Sequence, residues 1–203
     1  MPMPNEQTHR DAGVIILAAG ASSRLGSPKQ LLPFSGTTLL QHSIDVAEKS
    51  EASVVIIITG ANAEEITTNA NYTKAAIRMN TAWQEGMASS IRCGLESLQQ
   101  LHPQIKRVIL MVADQPFVTT ALLNDLMNVQ EKESCDIVAS NYEITFGTPV
   151  LFTKRFFPEL MKLTGDVGAK SLVRKHLNET AFVSFPKGEV DIDTVEDYKK
   201  LNE

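Results

Sequence analysis

Four short apolar runs punctuate the chain: VIILAA at residues 14–19, SVVIIIT at 53–59, RVILMVA at 107–113 and CDIVAS at 135–140. They are rich in Val and Ile and almost uninterrupted by polar residues. Strands buried on both faces of a parallel sheet read this way. Between them the pattern changes to helical spacing. Leu40, Ile44 and Ala47 share one face, Ile91, Leu95 and Leu98 a second, and Leu122, Leu123, Leu126 and Met127 a third. Strand and helix in alternation predict βαβ units with right-handed crossovers. The expected fold is therefore a three-layer α/β/α, Rossmann-like domain with a mostly parallel sheet. After residue 141 the pattern is less regular. FGTPVLF (146–152) reads as a strand of a different direction, and GDVGAKSLVRKHL (165–177) as a loop entering a helix. AFVSF and DIDTVEDYKKL follow, with Thr194 or Asp193 placed to cap a last helix. No repeat, low-complexity tract or linker interrupts residues 1–203, so one domain is expected, with 1–11 a flexible N-terminus.

Bulk properties narrow the function without naming it. A chain of 203 residues is the size of one domain. A net charge of −5 argues against a nucleic-acid partner, which usually meets a basic face. It leaves room for a small anion held by a local patch of positive charge. The first ten residues lack the apolar core of a signal peptide. The longest apolar run is far short of the ~20 residues that span a bilayer. Cys93 and Cys135 are far apart and without metal-ligand spacing, which suits a reducing cytosol. His9, His42, His102 and His176 show no metal spacing and adjoin no candidate nucleophile, and they read as surface or helix residues.

The chemistry concentrates in LAAGASSRLGSPKQLLP, residues 17–33. A buried strand runs straight into a loop of Gly, Ala and Ser that carries two cations, Arg24 and Lys29. In an open parallel sheet, ligands bind at the carboxyl ends of the strands. Small residues let backbone N–H groups approach a phosphate, and Arg and Lys add charge of two shapes, a planar fork and a point. The loop is neither a P-loop nor a dinucleotide fingerprint. Five residues separate Gly20 and Gly26, Lys29 is not adjacent to Gly26, and only two glycines are present. A plain strand–helix connection would use the same small residues. Asp114 follows another predicted buried strand and precedes Pro116, so it emerges at the same sheet edge if the strands at 14–18 and 108–112 are parallel. A carboxylate beside a polyphosphate suits Mg²⁺, which takes one or two carboxylates, phosphate oxygens and water. A turn or an N-cap would also use an Asp there. Asp191 and Asp193 alternate, so they point the same way if the segment is extended, and a nearby cation would relieve their repulsion. Capping by Asp193 is the rival reading.

These residues resemble a family. LAAGASSRLGSPKQLLP is similar to the L-A-A-G-x-S-x-R-[ML]-G-x-x-K-x-L-L-P signature of the nucleotidyltransferases that work on molybdenum cofactor. The likeness is to CTP:molybdopterin cytidylyltransferases and related purine-catabolism accessory proteins. NTAWQEGMASSIRCGL (80–95), MVADQP (111–116), GTPVLF, GDVGAK and DIDTVEDY match further blocks in order, so the resemblance spans nearly the whole chain. It implies transfer of CMP from CTP to a phosphate-bearing acceptor, most simply molybdopterin, with release of pyrophosphate and with Mg²⁺ as cofactor. Leu17, Ala18, Ala19, Gly20, Arg24 and Lys29 would bind the nucleotide, with Arg24 and Lys29 catalytic. Asn80, Gly86, Ser89 and Ser90 would contact base and ribose. Thr148, Pro149, Gly165, Asp166 and Gly168 would face the acceptor. Asp114 and Asp193 would hold the metal, with Asp191 beside them. Ala19 carries the choice of cytosine, because Leu-Ala-Ala-Gly marks the cytidylyl branch and Leu-Ala-Gly-Gly the guanylyl one. A molybdenum hydroxylase is the implied client, with no nucleic acid and no membrane, and the place is the cytoplasm.

Bland readings stand beside several of these. Gly86, Ser89 and Ser90 also describe a loop capping the helix that buries Ile91 and Leu95, and Asp166 equally fits a cap. Trp83 fits either a core position or a lid over the nucleotide pocket. Gly147-Thr148-Pro149 departs from the Gly-His-Pro or Gly-Asn-Pro of relatives, which bears on the acceptor. Two rival functions remain: a sugar- or polyol-phosphate cytidylyltransferase, and a non-catalytic nucleotide- or pterin-binding accessory protein. A pure carrier would have little use for the metal carboxylates.

Overall fold

The computed structural model describes residues 11–23 and 25–201. The elements follow in chain order. β1 (Ala12–Ala18) enters the bare loop, and β2 (Pro33–Phe34) and β3 (Thr37–Thr38) form a small hairpin. Then come α1 (Leu39–Glu48), β4 (Val54–Thr59), α2 (Ala63–Asn69), β5 (Ala75–Met79), α3 (Met87–Leu101) and β6 (Arg107–Val112). α4 (Thr120–Glu133), β7 (Ile137–Asn141), β8 (Phe146–Thr153), α5 (Phe157–Leu160), α6 (Lys170–Lys175), β9 (Thr180–Ser184) and α7 (Val195–Leu201) complete the series. The expected flexible start at 1–11 lies almost wholly outside the described residues, as do His9 and Arg24.

Seven strands form one sheet in the order β5-β4-β1-β6-β8-β7-β9. β1 pairs parallel with β4 and with β6, and β4 with β5. β8 runs antiparallel to β6 and β7, which is the change of direction expected for residues 146–152. β9 returns parallel to β7 at the edge. The apolar runs are continuous because both faces of these strands are covered. Val14 and Ile16 pack with Leu40 and Ile44 of α1 and Leu123 and Leu126 of α4. Ile15, between them, belongs to the cluster on the other face, with Ile91 and Leu95 of α3 and Leu172 of α6. Each such Ile, fully removed from water, contributes roughly 1.5–3 kcal/mol. Gly94 brings α3 close to the sheet: a Cβ there would come within 2.7 Å of Ile15.

Caps set the helix starts. Thr38 accepts from the Gln41 amide at 3.1 Å and Thr119 from the Leu122 amide at 3.2 Å. At α7 the cap is Thr194, not Asp193. Thr194 Oγ1 accepts from the Asp197 amide at 3.2 Å, and Asp197 Oδ2 accepts from the Thr194 amide at 2.9 Å. Asp193 joins this reciprocal capping box only through its amide, which donates to Asp197 Oδ2 at 3.3 Å. A second correction concerns α3, which begins at Met87, so Ser89 and Ser90 lie inside its first turn rather than in a preceding loop. Gly86 alone makes the entry, with φ at 101°, and Ser89 Oγ donates back to its carbonyl at 2.8 Å. Asp166 does not cap α6 either: the residue ahead of that helix is Ala169.

Candidate active site

The parallel pairing of β1 and β6 sends the loop after Ala18 and the turn at Ala113–Asp114 out at one sheet edge. The loop is held in shape by the buried Gln30, 2% exposed. Its Nε2 donates to the carbonyls of Ala18 at 2.9 Å and Gly20 at 3.0 Å. Ser22 Oγ accepts from the Lys29 amide at 3.0 Å. These bonds close the loop on itself and fix where Lys29 begins. Sequence reasoning overlooked Gln30, because a buried amide beside a lysine looks like any polar loop residue.

Lys29 Nζ lies 2.5 Å from Asp114 Oδ2 and 2.8 Å from Asp193 Oδ1. The ammonium therefore bridges carboxylates 85 and 164 residues away. Burial alone would lower the Lys29 pKa, but charge and hydrogen bonding from Asp114, then Asp193, outweigh it and raise it above the ordinary 10.5. Asp193 is brought in by its neighbour: Ile192 is fully buried and its amide donates to the Asp114 carbonyl at 3.1 Å. Asp191, on the other side of Ile192, is pushed up first by desolvation and then by the charges of Asp114 and Asp193.

This donor set fits a hard divalent cation. Asp114 Oδ1 is buried and has no hydrogen-bond partner among the described residues. A second carboxylate stands within reach of the same ammonium, and a third repels both. Among the described residues no group of three His, Cys, Asp or Glu is arranged to hold a metal by itself. That suits an ion that completes its shell with phosphate oxygens and water.

Two cavities meet here. The first, about 490 Å³, is walled by the loop residues Leu17, Ala18, Ala19 and Gly20, by Lys29, and on the far side by Trp83, Gly86 and Ser90. The second, about 340 Å³, is walled by Gln115, Tyr142, Thr148, Gly168, Lys170 and Asp191. Met87, Val112 and Asp114 belong to both. Of the residues expected at the acceptor, Thr148 and Gly168 line the second cavity. Asp166 lines the first, pressed against Gly86, where a Cβ would approach its Oδ1 to 2.4 Å. Pro149 is buried behind the wall, and the Gly165 carbonyl accepts from the Ala88 amide at 3.1 Å. Asn80 and Ser89 are buried behind the first cavity rather than on it. The second cavity owes its wall to another overlooked amide, Gln115. It donates to Tyr142 at 2.9 Å and to the Gly188 carbonyl at 2.6 Å, and accepts from Thr148 Oγ1 at 3.0 Å. Tyr142 in turn donates to the Thr148 carbonyl.

A mostly parallel sheet, a bare loop with a lysine, converging carboxylates and two cavities sharing one of them define an α/β nucleotidyltransferase. Residues 14–180 match the model of the MobA-like NTP transferase domain, and the chain belongs to that family. Rv0371c of Mycobacterium tuberculosis H37Rv superposes with a TM-score of 0.82 at 30% identity, over 95% of this chain and 97% of that one. A complex of that protein with manganese gives 0.75 at 28% identity, over 94% and 97%. Purine catabolism protein PucB of Bacillus subtilis is 26% identical over 91% of this chain and 92% of its own length. Nicotine blue oxidoreductase of Paenarthrobacter nicotinovorans is 28% identical over 92% and 94%. One fold thus carries names from two reaction classes, so the chemistry must be argued from the site.

Proposed function

We propose that this chain transfers CMP from CTP to the phosphate of molybdopterin and releases pyrophosphate. The observation that carries the reading is the pair of cavities joined at Asp114, with Lys29 at the junction. One cavity suits the nucleotide and the other an acceptor. An oxygen of the acceptor's phosphate attacks the α-phosphorus, the bond to the β-phosphate's bridging oxygen breaks, and pyrophosphate carries that electron pair away. The nucleophile is already an anion, so no general base is needed. Catalysis is positioning plus stabilisation of charge. Lys29 exchanges its carboxylate partners for the α-phosphate oxygens as negative charge shifts onto them. Arg24 and the loop amides hold the β- and γ-phosphates. Asp114 and Asp193, with Asp191 beside them, would hold Mg²⁺, which when bound offsets phosphate charge. The manganese complex of Rv0371c supports a divalent ion at such a fold.

Cytosine is favoured by Ala19 in the Leu-Ala-Ala-Gly stretch, and molybdopterin by the MobA-like family. No helix among the described residues is long and apolar enough to cross a membrane, and Cys93 and Cys135 are free thiols. The free thiols suit a reducing cytoplasm, with a molybdenum hydroxylase as the client for the product.

The test is pyrophosphate release with CTP, GTP, ATP and UTP in turn, with molybdopterin and Mg²⁺ present. Release with CTP alone is expected. Release only with another nucleotide overturns the cytidylyl assignment. Release with CTP and a sugar or polyol phosphate, but not molybdopterin, overturns the acceptor. Mg²⁺-dependent binding without release under any pairing indicates a carrier.

A further inference from the structure

The polar groups expected to read the base are already used inside the protein. Asn80 is 4% exposed. Its Nδ2 donates to Ser89 Oγ at 2.8 Å and Ser90 Oγ at 3.1 Å, and its Oδ1 accepts from the Ala82 amide at 3.0 Å. Ser89 Oγ donates to the Gly86 carbonyl. This cluster shapes the entry to α3 and leaves little to offer a ligand.

Two side chains on the same wall differ. Trp83 and Gln84 both line the first cavity, and neither the indole N–H nor the Gln84 carboxamide has a hydrogen-bond partner among the described residues. Trp83 is also held in a definite place. Gly60 has no side chain where a Cβ would come within 2.6 Å of Trp83 Cβ and 2.8 Å of the Ala19 carbonyl. The root of the Trp83 side chain therefore packs against Gly60, just after β4, and the Ala19 carbonyl lies against the same glycine. The indole supplies a broad apolar face with one donor at its edge. Gln84 supplies one donor and one acceptor side by side.

We infer that Trp83 and Gln84 form the base subsite: the indole face covers the ring of a pyrimidine nucleotide, and the Gln84 carboxamide pairs with its polar edge. Asn80 is a positioning residue that sets the turn from which they project. This rests on the proposed nucleotidyl transfer only in taking the first cavity for the nucleotide.

Trp83 is the sole tryptophan of the chain, so its fluorescence reports this wall directly. In the wild-type protein CTP is expected to change that emission, and tripolyphosphate, which has phosphates but no base, to bind without changing it. By calorimetry Trp83→Ala and Gln84→Ala are each expected to weaken CTP, Trp83→Ala by about 10-fold or more, with tripolyphosphate affinity unchanged. Trp83→Phe, which keeps an aromatic ring, recovers most of the loss. Unchanged CTP affinity in both alanine variants overturns the subsite. So does equal weakening of CTP and tripolyphosphate, which would mean a collapsed loop. With GTP, ATP and UTP tested alongside, selective loss for a nucleotide other than CTP keeps the subsite and removes the cytidylyl reading instead.

Discussion

Lys29 sits where a divalent cation would also be drawn, between Asp114 Oδ2 and Asp193 Oδ1. Metal and ammonium would compete for the same two carboxylates, and a phosphate bound in the site would offer the lysine another anionic partner. Two opposite effects follow from Lys29→Ala. Turnover falls by ~10²–10³, the usual loss when one preorganised charge is removed from a developing anion. Affinity for Mn²⁺ without nucleotide rises, because two close carboxylates lose their internal counter-ion. Electron paramagnetic resonance of free Mn²⁺ measures the second. Weaker Mn²⁺ binding in the variant would show that the lysine helps to build the metal site instead of competing for it. Of this site, the lysine and the carboxylates were legible, because charge in a bare loop and an Asp after a buried strand are unusual positions. The competition between them was not legible, since it depends on approach distances no residue pattern encodes.

At the level of elements, legibility followed burial. β1, β4, β6 and β7 are covered on both faces, and α1, α3 and α4 each bury one stripe, so period and length announced them. The edges were silent. β5 at one end of the sheet has no fully buried residue and ends in the exposed pair Arg78 and Met79, β9 at the other end exposes Phe182 and Ser184, and α2 buries Ile66 alone. Such elements are held by particular contacts more than by pattern. Glu48, at the end of α1, accepts from the amides of Thr73 at 2.7 Å, Lys74 at 2.6 Å and Ala75 at 2.9 Å, and so fastens the entry to β5. Partial burial raises its pKa, but those amide bonds outweigh this and hold it below the ordinary 4.5. A carboxyl whose pKa is lower folded than unfolded stabilises the fold above its unfolded value, and the gain is lost as pH falls through the folded value. Glu48→Ala should therefore cost about 1–2 kcal/mol at pH 7, discounted for exposure, in urea unfolding. The gap between the variant and wild type should narrow below pH 4.5. A gap that stays constant on acidification would mean that packing, not the charged acceptor, secures the strand.

Across the whole molecule, the site depends on three distant segments being held at one sheet edge, and Gln115 does much of the holding. It follows Asp114 directly, is 5% exposed, and reaches both the β7–β8 hairpin, through Tyr142 and Thr148, and the turn before Asp191, through Gly188. Buried amides of this kind cannot be told from surface ones by residue type, so the sequence pointed to where the carboxylates converge without showing what keeps them there. The network walls the second cavity and does not touch the first. Gln115→Leu keeps the volume but removes three hydrogen bonds: it strands the Gly188 carbonyl, takes a partner from the Thr148 hydroxyl, and leaves the Tyr142 hydroxyl only its bond to the Thr148 carbonyl. Each net hydrogen bond contributes about 1 kcal/mol and a stranded buried group costs about 1–3 kcal/mol, so a total loss of roughly 2–4 kcal/mol in denaturant unfolding is expected. Function should divide unevenly. The KM for the acceptor rises several-fold as the wall loosens, while CTP affinity by calorimetry stays within about twofold, the ordinary scale of effects between sites without shared partners. If CTP affinity falls as far as acceptor affinity, the two cavities are one mechanical unit, and the division of the site between nucleotide and acceptor at Asp114 is wrong.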